Sequence, residues 1–243
     1  MRGSPARCDA GRTGPATSGR RQPRRGANRA LADAASAGFA AQKKSLHAAE
    51  RDTERVKGLR RDFLEALQHQ DVTRFKFVDE TSVNLTYTRR YGRALGGRRV
   101  DAAVPLHNGP NVTVVAALSA QGVEAVMELD GAVNTASFAV YLEQVLGPGL
   151  QPGDVVVLDN LRVHKAAGLA ELVEARGARL LYLPPYSPDF TPIERAFSKL
   201  KTYLRTAAAR TREALTAALQ AALAWITTQD AQNWFNHSGY HVH

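Results

Sequence analysis

The stretch GDVVVLDN, residues 153–160, constrains the fold more than any other part of the chain. Four apolar residues in a row, without polar alternation, make a strand that must be covered on both faces. Such a strand belongs in the middle of a sheet with helices on either side. The flanking sequence supplies both. Before it, residues 134–146 (NTASFAVYLEQVL) read as a helix opened by an Asn cap, with Phe138, Tyr141, Leu142 and Val145 on one face. After it, a helical pattern from about His164 to Arg176 stops at Gly177, and ARLLYL gives a further strand. Earlier, RFKFVDE alternates Phe75 and Phe77 with charge and predicts a short strand ending at Asp79. SVNLTYT suggests a second strand, and NVTVVAALSA and VEAVMELD two more joined at Gln121-Gly122. Stripes at helical spacing follow near the C-terminus: Ile193, Phe197, Leu200 and Leu204, then Leu215, Leu219, Leu223 and Ile226, with a short helix at about 231–236. Strands first, then strand and helix in alternation, then helices, describe a mixed α/β layer fold.

At 243 residues the chain holds one sizeable domain with a tail, or two small ones. Its single cysteine, Cys8, excludes a disulfide framework and a cysteine zinc cluster, which suits a reducing cytosol. No apolar run reaches membrane-spanning length, and no secretory leader pattern is present. Net charge is +9, unevenly placed: residues 1–40 hold eight Arg and two Asp, a net of +6. That segment is rich in Gly, Ala, Pro and Ser and lacks the apolar surface to order itself, so residues 1–41 are expected to be a disordered basic arm. Arg-rich, acid-poor starts also occur in organellar transit peptides, but no amphipathic pattern accompanies this one. Residues 42–70, with Val56, Leu59, Phe63 and Leu67 at spacings of three and four, read as a linker helix, and 71–243 as the main domain.

Three acids stand out by position. Asp79 and Asp159 each follow an apolar strand, and strand ends of neighbouring strands open on one crevice in α/β sheets. Glu194 lies just inside a helix reached through LPPYSPDFTPIERAFSKLK, with prolines at 184, 185, 188 and 192 that stiffen the approach. Taken singly, each has an ordinary explanation. Strand-end Asp residues cap turns, and Thr191-Pro-Ile-Glu194 fits a capping box with Thr191 as N-cap. Glu80, Asp130 and Asp189 fit such roles better still, Glu80 because alternation turns it to the face opposite Asp79. Together, three carboxylates without a thiolate or histidine cluster make a hard-oxygen site suited to Mg²⁺ or Mn²⁺. Two such ions about 3.5–4 Å apart clamp the attacking and leaving oxygens of a phosphodiester displacement.

Thirty-four residues separate Asp159 from Glu194. With FVDET, VVVLDNLRVHK and the proline ramp, the chain closely resembles the DDE transposases of the mariner superfamily, and within it the bacterial insertion-sequence six-thirty group. The resemblance runs from about Gln42 to Trp234. It implies an RNase H-like fold with Asp79, Asp159 and Glu194 as catalytic ligands of two Mg²⁺ or Mn²⁺ ions. It implies cleavage and strand transfer on double-stranded DNA, at element ends and target, by a homodimer in the bacterial cytosol. Glu194 is expected to turn to the metal and leave Thr191 to cap alone. Relatives carry helix-turn-helix modules before this domain. Here 78 residues precede Asp79 and the first 40 show no apolar period, so a truncated or second-reading-frame product, one that folds and holds metal but does not find its element's ends unaided, is the expectation.

Around the acids, Asn160 and His164 are placed to orient Asp159 or to contact a scissile phosphate. YTRRYGRALGGRR carries Arg89, Arg90, Arg93, Arg98 and Arg99 without an acid from Ser82 to Arg99, a basic β-hairpin fit for a DNA backbone or simply a solvated loop. Lys199, Lys201 and Arg205 would extend that surface. The rival functions are an RNase H-like nuclease without strand transfer, and an idle DNA-binding remnant of a mobile element.

Overall fold

The computed structural model describes residues 46–109 and 111–242, so the expected basic arm lies outside the described residues. Five strands form one mixed sheet: β1 (Phe75–Val83), β2 (Val112–Ser119), β3 (Gly122–Asp130), β4 (Val155–Leu158) and β5 (Arg179–Tyr182), in the order β3-β2-β1-β4-β5. β1, β2 and β3 pair antiparallel, while β4 lies parallel to both β1 and β5. Every residue of β4 is buried, as its unbroken apolar run requires. This is the mixed sheet flanked by helices of the RNase H-like class.

Helices cover both faces. On one side α1 (Glu54–Leu67), α4 (Ile193–Ala207) and α6 (Thr228–His237) enclose Phe75, Phe77, Val155 and Val157 with Phe63, Ile193, Phe197 and Phe235. On the other, α2 (Thr135–Val140), prolonged by a π-helical turn Tyr141–Leu146, and α3 (Leu169–Glu174) cover Val78, Val156 and Leu158. α5 (Arg212–Ala224) packs Leu215 and Leu219 against Leu200 and Leu204 of α4 and against Val112 and Val114. Each fully buried Phe, Leu or Val contributes about 1.5–3 kcal/mol from leaving water. Period-two alternation along β1 therefore has a consequence: Asp79 falls on the α4 side with Phe75 and Phe77, and Glu80 on the α2–α3 side with Val78.

Four local expectations are corrected. β1 does not end at Asp79 but continues to Val83, because its backbone pairs with β2 up to Val83↔Val112 whatever its side chains. SVNLTYT is consequently no separate strand; Ser82 and Val83 finish β1, and Asn84 Oδ1 then accepts the Thr86 N–H at 3.1 Å in a turn. The Arg-rich stretch is not a hairpin. Residues 89–104 are exposed, and their one regular feature is a 3-10 turn, Leu95–Gly97, with Gly96 and Gly97 at φ 64° and 69°. The helix expected from His164 is divided into a 3-10 turn, Val163–Lys165, and α3, because Gly168 adopts φ 89° between them.

Candidate active site

Parallel pairing sets the first two acids side by side. The register matches Phe77 with Val157, so Asp79 and Asp159, each two residues further on, reach the same level beyond the ladder. Asp79 lies within β1, and its Oδ1 accepts the Glu80 N–H at 2.8 Å. Asp159 follows β4 directly. Its Oδ1 accepts the Leu161 N–H at 2.9 Å and meets His164 Nδ1 at 2.7 Å. Asn160 donates from Nδ2 to the Leu183 carbonyl, which ties this loop to the start of the ramp.

The ramp brings Glu194 to the same cleft. Leu183 N–H donates to the Leu158 carbonyl at 2.9 Å, so the chain leaves the sheet beside Asp159. Prolines stiffen the residues beyond Leu183, but side chains from elsewhere fix their position. Arg60 of α1 donates to both carboxylate oxygens of Asp189 at 3.0 and 2.6 Å and to Ser187 Oγ at 2.6 Å. The same guanidinium lies 4.1 Å from the Phe190 ring centroid, and Phe63 stacks on that ring at 5.6 Å. Tyr240 Oη donates to the Phe190 carbonyl at 2.8 Å. α4 then opens without a side-chain cap. Pro192 stands at its N-cap, and Thr191, at φ −114° and ψ 91°, ends the 3-10 turn Pro188–Phe190. Thr191 therefore does not cap, contrary to the sequence expectation. The Glu194 N–H reaches the Thr191 backbone carbonyl at 3.4 Å.

Asp79, Asp159 and Glu194 line one cleft of about 470 Å³, with Arg55 of α1, Asn160 and Tyr186 among its other walls. Tyr186 holds φ 55°, a conformation uncommon for a side-chain-bearing residue, at the turn of the ramp. A neighbouring concavity is lined by Lys201 and Arg205 together with Asp79, Glu80 and Glu194. Among the described residues no three His, Cys, Asp or Glu side chains are drawn into a ready-made cage. The acids line one cleft without closing on one point.

Burial pushes the Asp79 carboxyl up to about 7, and the negative charges of Glu80, Asp159 and Glu194 add to it. Burial also raises Glu194 and lowers Lys201. For Asp159 burial works upward, but the hydrogen bonds from His164 and Leu161 outweigh it and hold the group below the usual carboxylate range. His164 shows the converse: burial alone would lower it, and its bonds to Asp159 and Glu80 raise it to about 9. The donor set fits a hard divalent cation. All three groups are carboxylates, and such an ion would offset both the burial and the neighbouring negative charge that raise Asp79.

The remaining sequence candidates divide: His164 touches Asp159, Lys201 and Arg205 line the neighbouring concavity, and the others lie away from the acids. His164 is fully buried behind Asp159, with Nε2 2.9 Å from Glu80 Oε1. Lys199 points away from the acids, bonded to Asp230 at 2.6 Å and lying 4.5 Å over the Trp225 ring. Arg89, Arg90, Arg93, Arg98 and Arg99 are all exposed on the segment between β1 and β2, and none lines the acid cleft. Sequence reasoning missed Arg55, Arg60 and Glu80. Arg60 carried a signal in its helical phase, one turn before Phe63 on the face of α1 that meets the ramp.

A family profile described as DDE superfamily endonuclease matches residues 74–216. No curated protein sequence matches the chain. Its fold is similar to that in the Mos1 transposase paired-end complex with left transposon end, at a TM-score of 0.68 and 18% identity over 86% of this chain and 66% of that one. The Mos1 mariner paired end complex with Mn gives 0.68 and 17% over the same shares. The catalytic domain of Mos1 mariner transposase gives 0.56 and 16%, over 82% of this chain and 91% of that one. The chain thus spans 66% of the length of the transposase in those paired-end complexes.

Proposed function

We propose, from the premise that this chain belongs to the DDE superfamily endonucleases, that it is the catalytic domain of a transposase that cuts and joins DNA strands. The mariner superfamily, in its bacterial insertion-sequence six-thirty branch, is the home its motifs suggest. One observation carries the reading. The parallel β1–β4 register levels Asp79 with Asp159, and the clamped ramp brings Glu194 to the same cleft.

In the proposed reaction water attacks a phosphodiester at the element end, the P–O3′ bond breaks, and the 3′ oxygen leaves as a hydroxyl. That hydroxyl then attacks a target phosphodiester, displacing a second 3′ oxygen. Asp79, Asp159 and Glu194 would hold two Mg²⁺ or Mn²⁺ ions, which supply Lewis-acid stabilisation of the phosphoryl charge when bound. Lys201 and Arg205 lie beside the acids and would bind phosphates flanking the scissile one. Arg55, which lines the same cleft, would bind the DNA strand there. Asn160 holds the loop after Asp159 against the ramp, so the two acids it links move as a unit. The exposed arginines of 89–99 and the basic arm would add salt-sensitive contacts to duplex DNA, with two copies of the chain acting on paired ends. Among the described residues no helix is long and apolar enough to cross a membrane. A cytosolic site of action suits a DNA substrate.

The deciding experiment incubates the protein with an end-labelled element-end duplex and a target plasmid. Nicking that needs Mg²⁺ or Mn²⁺, leaves a 3′-hydroxyl and proceeds to joined product is expected, with Asp159→Ala folded and silent. Nicking without joining would mark an RNase H-like nuclease instead. Wild-type nicking that persists in EDTA would remove the metal mechanism.

A further inference from the structure

We infer that Glu80 is a positioning residue for Asp159, acting through His164, so that one carboxylate oxygen of Asp159 is held and the other is left for the cleft. The inference rests on the assignment of Asp159 as a metal ligand. Asp159 Oδ1 already takes the Leu161 N–H and His164 Nδ1, at 2.9 and 2.7 Å. Its Oδ2 has no hydrogen-bond partner among the described residues. The carboxylate therefore presents a fixed edge, provided His164 is itself fixed.

Three contacts fix it. The His164 ring is fully buried and packs on Phe138 with centroids 4.4 Å apart. Tyr182 Oη donates to the His164 backbone carbonyl at 2.8 Å, which anchors the turn that carries it. Nε2 meets Glu80 Oε1 at 2.9 Å. With both ring nitrogens facing acids, a ring flip would set carbon where nitrogen now stands against each carboxylate. The packing on Phe138 limits tilt; the Glu80 contact limits rotation.

Glu80 reaches His164 from the α2–α3 side of β1, whereas Asp79 faces α4. The strand thus uses consecutive residues on opposite faces for one site: Asp79 enters the cleft, and Glu80 passes behind the sheet end to steady the second aspartate. Partners of this kind around a ligating group typically change metal affinity or activity by about 10–100-fold when removed.

The test compares wild type, Glu80→Gln and Glu80→Ala by calorimetric Mn²⁺ binding, nicking kinetics and metal-free thermal melting. Glu80→Ala is expected to bind Mn²⁺ about tenfold more weakly and to lose a similar factor in kcat, with KM for DNA unchanged. Glu80→Gln, whose amide oxygen still accepts from Nε2, is expected to recover to within a few-fold of wild type. Glu80→Ala that binds Mn²⁺ as wild type overturns the inference, and so does Glu80→Gln as impaired as the alanine. Should Glu80→Ala fail to fold, Glu80→Asp decides: its shorter side chain withdraws from Nε2 with charge retained, and unaltered Mn²⁺ binding counts against the inference. Wild type without Mn²⁺ binding would overturn the assignment of the site itself, and is thereby distinct from wild-type binding that Glu80 does not influence.

Discussion

Asp230 illustrates how single side chains outside the cleft are committed. It meets Lys199 Nζ at 2.6 Å and also accepts the Thr227 N–H at 2.9 Å, which closes a capping box at the start of α6. The lysine first, then the cap, hold its carboxyl down to about 2. A folded value below the unfolded one, near 3.9, means stability that is present above about pH 4 and is lost as pH falls towards 2. Asp230→Asn should therefore cost about 1 kcal/mol at neutral pH. In melts from pH 6 to pH 2.5 the gap to wild type should shrink; a constant gap would show that the charge is not the cause. At this scale the sequence leads one to expect Asp79, Asp159 and Glu194 in one cleft, which all three line, although Asp79 lies within β1 and not after it. Glu80 was not legible, because alternation correctly turned it away from Asp79, and its partner His164 lies 84 positions on. A contact over that distance leaves no local pattern.

Among the elements, α1 has more to do with the site than its place before the sheet suggests. Through Arg60 and Phe63 it grips Asp189 and Phe190 of the ramp, five and four residues before Glu194, and Arg51, in the 3-10 turn Ala49–Asp52 before the helix, adds a bond to Asp189. Arg60→Ala removes three donated bonds, and with Asp189 half-exposed it should cost about 1–2 kcal/mol in a denaturant titration. Nicking should fall further, by about tenfold or more, since a small displacement of Glu194 is enough. An Arg60→Ala protein that loses stability but nicks normally would show the ramp to be rigid without α1. The strands and helices themselves were largely readable: β2, β3, β4 and β5 and the Asn134 cap fall where apolar patterning and capping chemistry put them. The length of β1 was not, because Glu80, Thr81 and Ser82 pair by backbone and their side chains break the apolar alternation. Thr191 failed as a cap for a comparable reason. A preceding 3-10 turn fixes its backbone, and sequence alone did not announce that turn.

For the molecule as a whole, the sheet divides two kinds of work. The α4 side carries the acid cleft together with Lys201, Arg205 and Arg55, and the α2–α3 side supplies the packed support behind Asp159. Positive charge lies at the cleft margins and on the exposed 89–104 segment, so a polyanion can approach the cleft. The central claim is that Asp79, Asp159 and Glu194 act as one unit. It is tested most directly by initial nicking rates on one labelled duplex for wild type, Asp79→Asn, Asp159→Asn, Glu194→Gln and the triple variant, each checked for an intact fold. Groups that act together are not additive, so each single variant should fall to the level of the triple, about 10³-fold or more below wild type. A folded single variant that keeps the wild-type rate would contradict the account, because that acid would then stand outside the site.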